Sequence, residues 1–180
     1  MRLFYLLVAL FWSHIALADI PQPDYSILKE GVSFVYEREN GSRYVSKVTS
    51  IRADGYVFEN RNGEDGSGSF ISRSTFSRDG KRLQWEGPED TWVFMPHACN
   101  RQLGDCNYKS QKSTGGKSYR NTLSTSFSDG KVTWKRYYNG SVVSNGWYEI
   151  DSETNWTSAF GWSSTNGGGE VAKLIRIDQP

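Results

Sequence analysis

Asn-Gly and Asp-Gly pairs recur along the chain, and seven of them that separate strand-like segments constrain its fold more than any other feature. A type I′ hairpin turn needs a positive φ at both central residues, which these residue types adopt at little cost. The segments between the pairs are short, rich in β-branched and aromatic residues, and alternate in polarity, as Val32, Phe34 and Tyr36 do. Such alternation predicts strands with one buried and one solvated face. The pairs are Asn40-Gly41, Asp54-Gly55, Asn62-Gly63, Asp79-Gly80, Asp129-Gly130, Asn139-Gly140 and Asn145-Gly146.

Helical periodicity is weak after residue 18, because apolar residues rarely recur at spacings of three and four and Gly interrupts most windows. We therefore predict an all-β protein, an antiparallel meander of about 8–10 strands that forms a barrel or a strongly curved open sheet. A two-sheet β-sandwich is the alternative. The apolar segment 170–178 is expected to be a central strand that seals the barrel or sheet.

Residues 1–18 have the pattern of a cleavable signal peptide. Arg2 gives a positive start, Leu3 to Trp12 is an apolar run, and Ala16-Leu17-Ala18 offers the small residues that signal peptidase requires. The rival interpretation is an uncleaved membrane anchor, but Ser13 and His14 end the apolar run well short of the roughly 20 residues that span a bilayer. The pattern predicts a secreted or periplasmic protein that does not span a membrane after cleavage.

The remaining residues are predicted to form an extended lead-in, 19–30, and a single all-β domain, 31–180, with a disulfide loop at 97–118. Cys99 and Cys106 are expected to pair, because exported proteins fold in oxidising compartments. A metal site that recruits His97 is disfavoured, since zinc normally takes four ligands or three and a water.

The charge balance gives no reason to expect nucleic acid as a partner. Lys and Arg number 21 and Asp and Glu 20, so loss of Arg2 with the signal peptide leaves a net charge of zero. No cofactor motif is present, and the oligomeric state is not predicted.

Evidence for catalysis is weak. A nucleophile-histidine arrangement would have to use His97, the one histidine after residue 18. Paired carboxylates in the turn of Glu86, Glu89 and Asp90 permit glycosidase chemistry, but Gly-Pro within an acidic run is typical of a solvated hairpin turn. We expect a protein that is not an enzyme.

Aromatic residues are unusually frequent, with 7 Trp, 10 Tyr and 9 Phe, all but four of them after residue 18. Cross-strand pairing in a sheet accounts for most of these rings. The surplus predicts an aromatic surface or cavity that binds a ligand. The candidate ligand-binding residues are Trp85, Trp92, Trp134, Tyr138, Trp147, Trp156 and Trp162.

Three functions follow from these features. The first is an exported binding protein that holds an apolar or amphipathic small molecule in a barrel or concave sheet. The second is a glycan-binding module with exposed tryptophans, and the third is an envelope-associated structural or protein-interaction module that uses a free sheet edge.

Signal cleavage is testable directly. The intact mass of the exported product is expected to correspond to a chain that begins at Asp19, and Ala18→Arg is expected to retain the leader because signal peptidase requires a small residue there. An exported wild-type protein that keeps residues 1–18 would contradict this prediction.

Overall fold

The computed structural model describes residues 19–98 and 101–180, with the side chains of residues 96–98 left aside. The predicted signal peptide, residues 1–18, and Cys99 lie outside the described residues.

Twelve antiparallel strands form a closed barrel in which each strand pairs with its neighbours along the chain. The first and last strands complete the closure, with Phe34 opposite Ile177 and Tyr36 opposite Leu174. The strands are β1 (Ser33–Arg38), β2 (Arg43–Arg52), β3 (Gly55–Asn62), β4 (Phe70–Ser77), β5 (Arg82–Glu86), β6 (Thr91–Ala98), β7 (Gly104–Lys112), β8 (Tyr119–Ser128), β9 (Lys131–Tyr138), β10 (Ser141–Ile150), β11 (Thr157–Ser164) and β12 (Gly169–Asp178).

The all-β antiparallel meander is confirmed in its barrel form, and segment 170–178 forms most of the closing strand β12. The strand number is higher than the expected 8–10. One source of the difference is segment 97–118, for which a loop was predicted and in which β7 lies. Polar residues fill most positions of β7, and the inward side chains that are buried, Cys106 and Tyr108, are few. Few apolar residues therefore mark the alternation in β7, and its polar composition resembles that of a loop.

Two of the seven turn pairs have the backbone that the sequence predicts. Asp129 and Gly130 have φ of 52° and 73°, and Asn139 and Gly140 have φ of 49° and 77°. The prediction of a turn at Asn145-Gly146 is wrong, because both residues lie inside β10.

Gly146 is in a strand because the indole of Trp134 lies over it. A Cβ at Gly146 would be 2.6 Å from Trp134 Cζ2 and 2.4 Å from the carbonyl oxygen of Gly161. The glycine therefore provides space for a ring from the neighbouring strand rather than a positive φ.

The lead-in, 19–30, packs against one end of the barrel. Where an extended segment was predicted, it contains a 3₁₀ turn at Tyr25–Ile27, which Asp24 caps by accepting a hydrogen bond from the Ser26 N–H at 2.9 Å. Ile20 and Leu28 are buried, at 2% and 6% exposure. Burial of these apolar side chains fixes the segment against the domain.

Apolar side chains point into the barrel, and the largest buried cluster includes Val32, Phe34, Val48 and Phe58. Ion pairs connect neighbouring strands elsewhere, such as Arg73 with Glu59 at 2.6 Å and with Glu86 at 3.2 Å. Within residues 19–98 and 101–180, no helix is long and apolar enough to cross a membrane.

The Gly146 contact generates a prediction about stability. Gly146→Val is expected to lower the free energy of unfolding by about 2 kcal/mol, because the new side chain displaces Trp134 and strains β10. Urea unfolding followed by tryptophan fluorescence measures this change. The control is Asn145→Val at the next, exposed position of the strand, where the change is expected to stay within about 0.5 kcal/mol. Equal effects of the two substitutions would contradict the prediction.

Candidate functional site

A cavity of about 470 Å³ lies inside the barrel. A closed barrel of this many strands is wide, so the inward side chains of its walls do not fill the interior. Nearly every strand contributes to the wall, and most of the lining residues are aromatic. The volume is in the range of pockets that hold small organic molecules.

Aromatic rings pack around Trp156 to form the apolar part of the wall. The ring centroid of Trp156 lies 4.9 Å from that of Phe34 and 6.3 Å from that of Phe58. Phe58 also meets Phe76 edge to face at 5.7 Å. Rings held by several neighbours keep one orientation, so this part of the wall is preorganised.

The lead-in crosses the end of the barrel at which β1 begins. Tyr25 stacks on Tyr56 with centroids 5.3 Å apart, and the Trp156 indole N–H donates to the Asp24 carbonyl oxygen at 3.2 Å. On another side of the same end, Arg101 donates to the Pro21 carbonyl oxygen at 2.5 Å. These contacts come from separate parts of the rim, so the lead-in spans it.

The opposite end carries a row of aromatic residues that belongs to strand ends. Trp85 on β5 is paired with Trp92 on β6. The row continues from Trp92 to Tyr119 at 5.8 Å and from Tyr119 to Tyr138 at 5.5 Å between ring centroids. We call this row, Trp85, Trp92, Tyr119 and Tyr138, the aromatic rim.

Four of the seven candidate ligand-binding residues contribute to the cavity wall: Trp134, Trp147, Trp156 and Trp162. The other three, Trp85, Trp92 and Tyr138, lie in the aromatic rim. The sequence therefore identified two groups that the barrel separates, one along the interior and one at an end.

Polar groups occupy a second part of the wall. Asn60 donates its side-chain N–H to Ser72 Oγ at 2.9 Å, and Ser74 and Ser144 are both buried at 5% exposure. Within the part of the chain that the structure describes, Asn60 Oδ1 is shielded from solvent without a hydrogen-bond partner. The interior is thus amphipathic.

Three arginines, Arg82, Arg101 and Arg136, line the cavity as well. Burial lowers the pKa of Arg82, and the phenol of Tyr108 opposes this effect. Burial also lowers the pKa of Arg101, which is opposed by Tyr148 and other tyrosines around it. Both guanidiniums stay charged, since arginine loses its proton only far above neutral pH.

Sequence reasoning missed these arginines, although one signal for Arg136 was present. The alternation of Val132 and Trp134 predicts that they share one face of a strand, and its continuation places Arg136 on that same face. For Arg82 the signal is broken, because β5 has one extra residue relative to β4: Thr75 pairs with Gln84, but Phe76 pairs with Arg82. A β-bulge of this kind changes which face a side chain takes.

The predicted disulfide involves Cys99, outside the described residues, so the pairing stays a prediction. Cys106 is buried at 6% exposure on β7.

No group of three or more His, Cys, Asp and Glu suited to a metal ion occurs in residues 19–98 and 101–180. The carboxylates of the acidic turn lie outside the cavity, where Glu86 pairs with Arg73 and Asp90 pairs with Lys112 at 2.6 Å.

A second concavity, of about 750 Å³, involves β7, β8, β9 and the turn after β9, and most of the residues that line it are of polar types. Asp105, Asn107, Lys109, Arg120 and Tyr137 contribute to it. No tryptophan is part of this surface as the structure describes it, which distinguishes it from the platform that the glycan hypothesis requires.

The tyrosines around the cavity generate a prediction about alkaline pH. Burial raises the pKa of Tyr148 to about 12 and raises the pKa of Tyr36, Tyr44 and Tyr108. In the unfolded chain these phenols lose their protons near pH 10. A pKa that folding raises stabilises the native state below that pH, and the stabilisation is lost as the pH rises towards the folded value.

We therefore expect stability to fall above about pH 10, with phenolate absorbance and loss of near-ultraviolet circular dichroism changing together for these residues. Spectrophotometric titration followed by both signals checks this. Full ionisation of all tyrosines near pH 10 with an intact dichroism spectrum would contradict it.

Comparison with known proteins adds no family to these observations. The chain matches no protein-family model, and neither the curated proteins nor the solved structures contain a significant match to it. The function is therefore argued from the geometry and chemistry of the barrel interior.

Proposed function

We propose that this chain is an exported binding protein, without enzymatic activity of its own, that holds an apolar or amphipathic small molecule inside its barrel. The observation that carries the proposal is the aromatic-lined cavity of about 470 Å³. Apolar ligands favour such interiors because binding removes both ligand and wall from water.

The arrangement of the two ends supports a route for the ligand. The lead-in covers the end at which β1 begins, so entry takes place at the other end, between the aromatic rim and Trp162. Trp162 is 39% exposed and also contributes to the cavity wall. An amphipathic ring at the mouth of an apolar site gives an incoming ligand its first contact.

Fewer observations support the glycan alternative. Of the four tryptophans that could project into solvent, Trp85, Trp92, Trp156 and Trp162, only the last belongs to the exposed large hydrophobic residues in the described part of the chain. Trp156 is partly buried and packs against the core cluster. Sugar platforms need exposed ring faces, so a single exposed indole favours the cavity.

The interaction-module alternative required a free sheet edge. Each of the twelve strands pairs with a neighbour on both sides, so the described sheet offers no such edge. Closure removes the unpaired backbone groups to which another chain would add a strand.

Binding of N-phenyl-1-naphthylamine, a neutral apolar dye that fluoresces in apolar surroundings, tests the proposal. The purified protein is expected to bind the dye with one-to-one stoichiometry. Ser74→Phe is expected to weaken binding about tenfold or more, because its ring enters the cavity. The matched control is Thr75→Phe, at the adjacent position of β4 on the opposite face of the sheet.

Circular dichroism establishes that both variants are folded before the dye is added. No saturable dye binding by the wild-type protein, or equal loss of binding in the two variants, would argue against a cavity ligand. Because filling a cavity can also strain the barrel, native mass spectrometry of the wild type for a copurified apolar molecule gives a second, independent measure.

A further inference from the structure

Two arginines of the cavity wall each have one guanidinium nitrogen without the partner that shielded polar groups normally have. Arg82 Nε and Arg136 Nε are each shielded from solvent and have no hydrogen-bond partner within the described residues. A shielded N–H donor without an acceptor is unfavourable, and a charge without a counter-charge adds to that cost. These two groups differ from Arg101, which the lead-in carbonyl of Pro21 holds.

No carboxylate of the chain neutralises them. Every Asp and Glu lies in residues 19–98 or 101–180. Among the ion pairs of those residues, from Arg38 with Glu170 to Arg176 with Asp178, none involves Arg82 or Arg136. The wall of the cavity contains no Asp or Glu side chain in the described part either.

Both arginines share the cavity wall with Tyr108, and the charge of each affects its phenol. Burial raises the pKa of Tyr108, while the charge of Arg136, a hydrogen bond from it and the charge of Arg82 oppose that rise. Tyr108 is 6% exposed and contributes to the cavity wall. A neutral phenol on the same wall as two guanidiniums adds an O–H donor to their cationic donors.

Aromatic contacts account for only part of this arrangement. The Arg82 guanidinium carbon lies 5.3 Å from the ring centroid of Phe76. Such a contact stabilises the positive charge, but it leaves the Nε–H donor unsatisfied.

Resting on the proposed function, we infer that the ligand is an anionic amphipath whose head group binds between Arg82, Arg136 and Tyr108. Its apolar body occupies the aromatic part of the cavity near Phe58 and Trp156. A carboxylate, sulfonate or phosphate would supply the missing counter-charge and accept hydrogen bonds from both guanidiniums.

A pair of dyes that differ in one group tests the inference. 8-Anilinonaphthalene-1-sulfonate carries a sulfonate on the ring system of N-phenyl-1-naphthylamine, which is neutral. The wild-type protein is expected to bind the sulfonate at least about tenfold more tightly than the neutral dye, the ratio that a charge-assisted hydrogen bond gives.

Arg82→Met and Arg136→Met keep much of the side-chain length and remove the charge. Each is expected to weaken sulfonate binding about tenfold or more and to leave neutral-dye binding within about threefold. Lys135→Met, at the exposed neighbour of Arg136 on β9, is the matched control and is expected to change neither. Thermal unfolding without ligand distinguishes loss of a ligand contact from loss of stability. Each Met variant is expected to have a melting temperature equal to or higher than that of the wild type, because an unpaired charge is removed.

Displacement of the bound sulfonate dye by dodecanoate, dodecyl phosphate and dodecanol identifies the head group. Stronger displacement by dodecanoate or dodecyl phosphate than by dodecanol supports the inference. The stronger of the two acids shows whether a carboxylate or a phosphate is the preferred head group. Saturable binding of the neutral dye without preference for the sulfonate, or Met variants that weaken both dyes equally, would overturn the anionic assignment alone. Failure of the wild type to bind either dye would overturn the proposed function together with it.

Discussion

Closure of the sheet on itself is the constraint on which the rest of the structure depends. Pairing of β1 with β12 satisfies the backbone groups of both strands and removes the sheet edges. At that junction Arg38 forms an ion pair with Glu170 at 2.7 Å. A closed ring of this many strands has a fixed circumference, and that circumference leaves more interior than the inward side chains occupy. The cavity is thus a geometric consequence of the strand number.

The residues of that interior have two separate roles. Rings packed around Trp156 provide stability and an apolar lining, while the arginines and unsatisfied polar atoms reduce stability in the absence of a counterpart. Sites of this kind are typical of function, because binding residues are retained where folding alone would replace them. The contrast between Arg101, held by Pro21, and Arg82 and Arg136, without such a partner at Nε, separates a structural arginine from two that suit a ligand.

Much of the fold was predictable from local signals. The alternation in segments such as Val32 to Tyr36, and the turn pairs at Asp129-Gly130 and Asn139-Gly140, determine hairpins over short distances. This reasoning fails at Asn145-Gly146. The same type of dipeptide lies inside a strand there, because the ring of Trp134 on the neighbouring strand occupies the space beside Gly146. That Arg82, Arg136 and Tyr108 share one cavity wall was beyond sequence reasoning. The three residues lie on β5, β9 and β7, and both the curvature of the wall and a bulge in β5 bring them to the same interior.

The two strands that close the barrel, β1 and β12, also lie at opposite ends of the domain sequence, and Ser33 pairs with Asp178. A ribosome that still holds β12 therefore prevents completion of the ring, even when every hairpin before it has formed. Contacts of such sequence separation slow folding and leave open-edged intermediates exposed. Folding of this barrel is thus expected to be completed only after β12 has been released, so a chaperone that covers β1 in the interval would protect it from association with other chains.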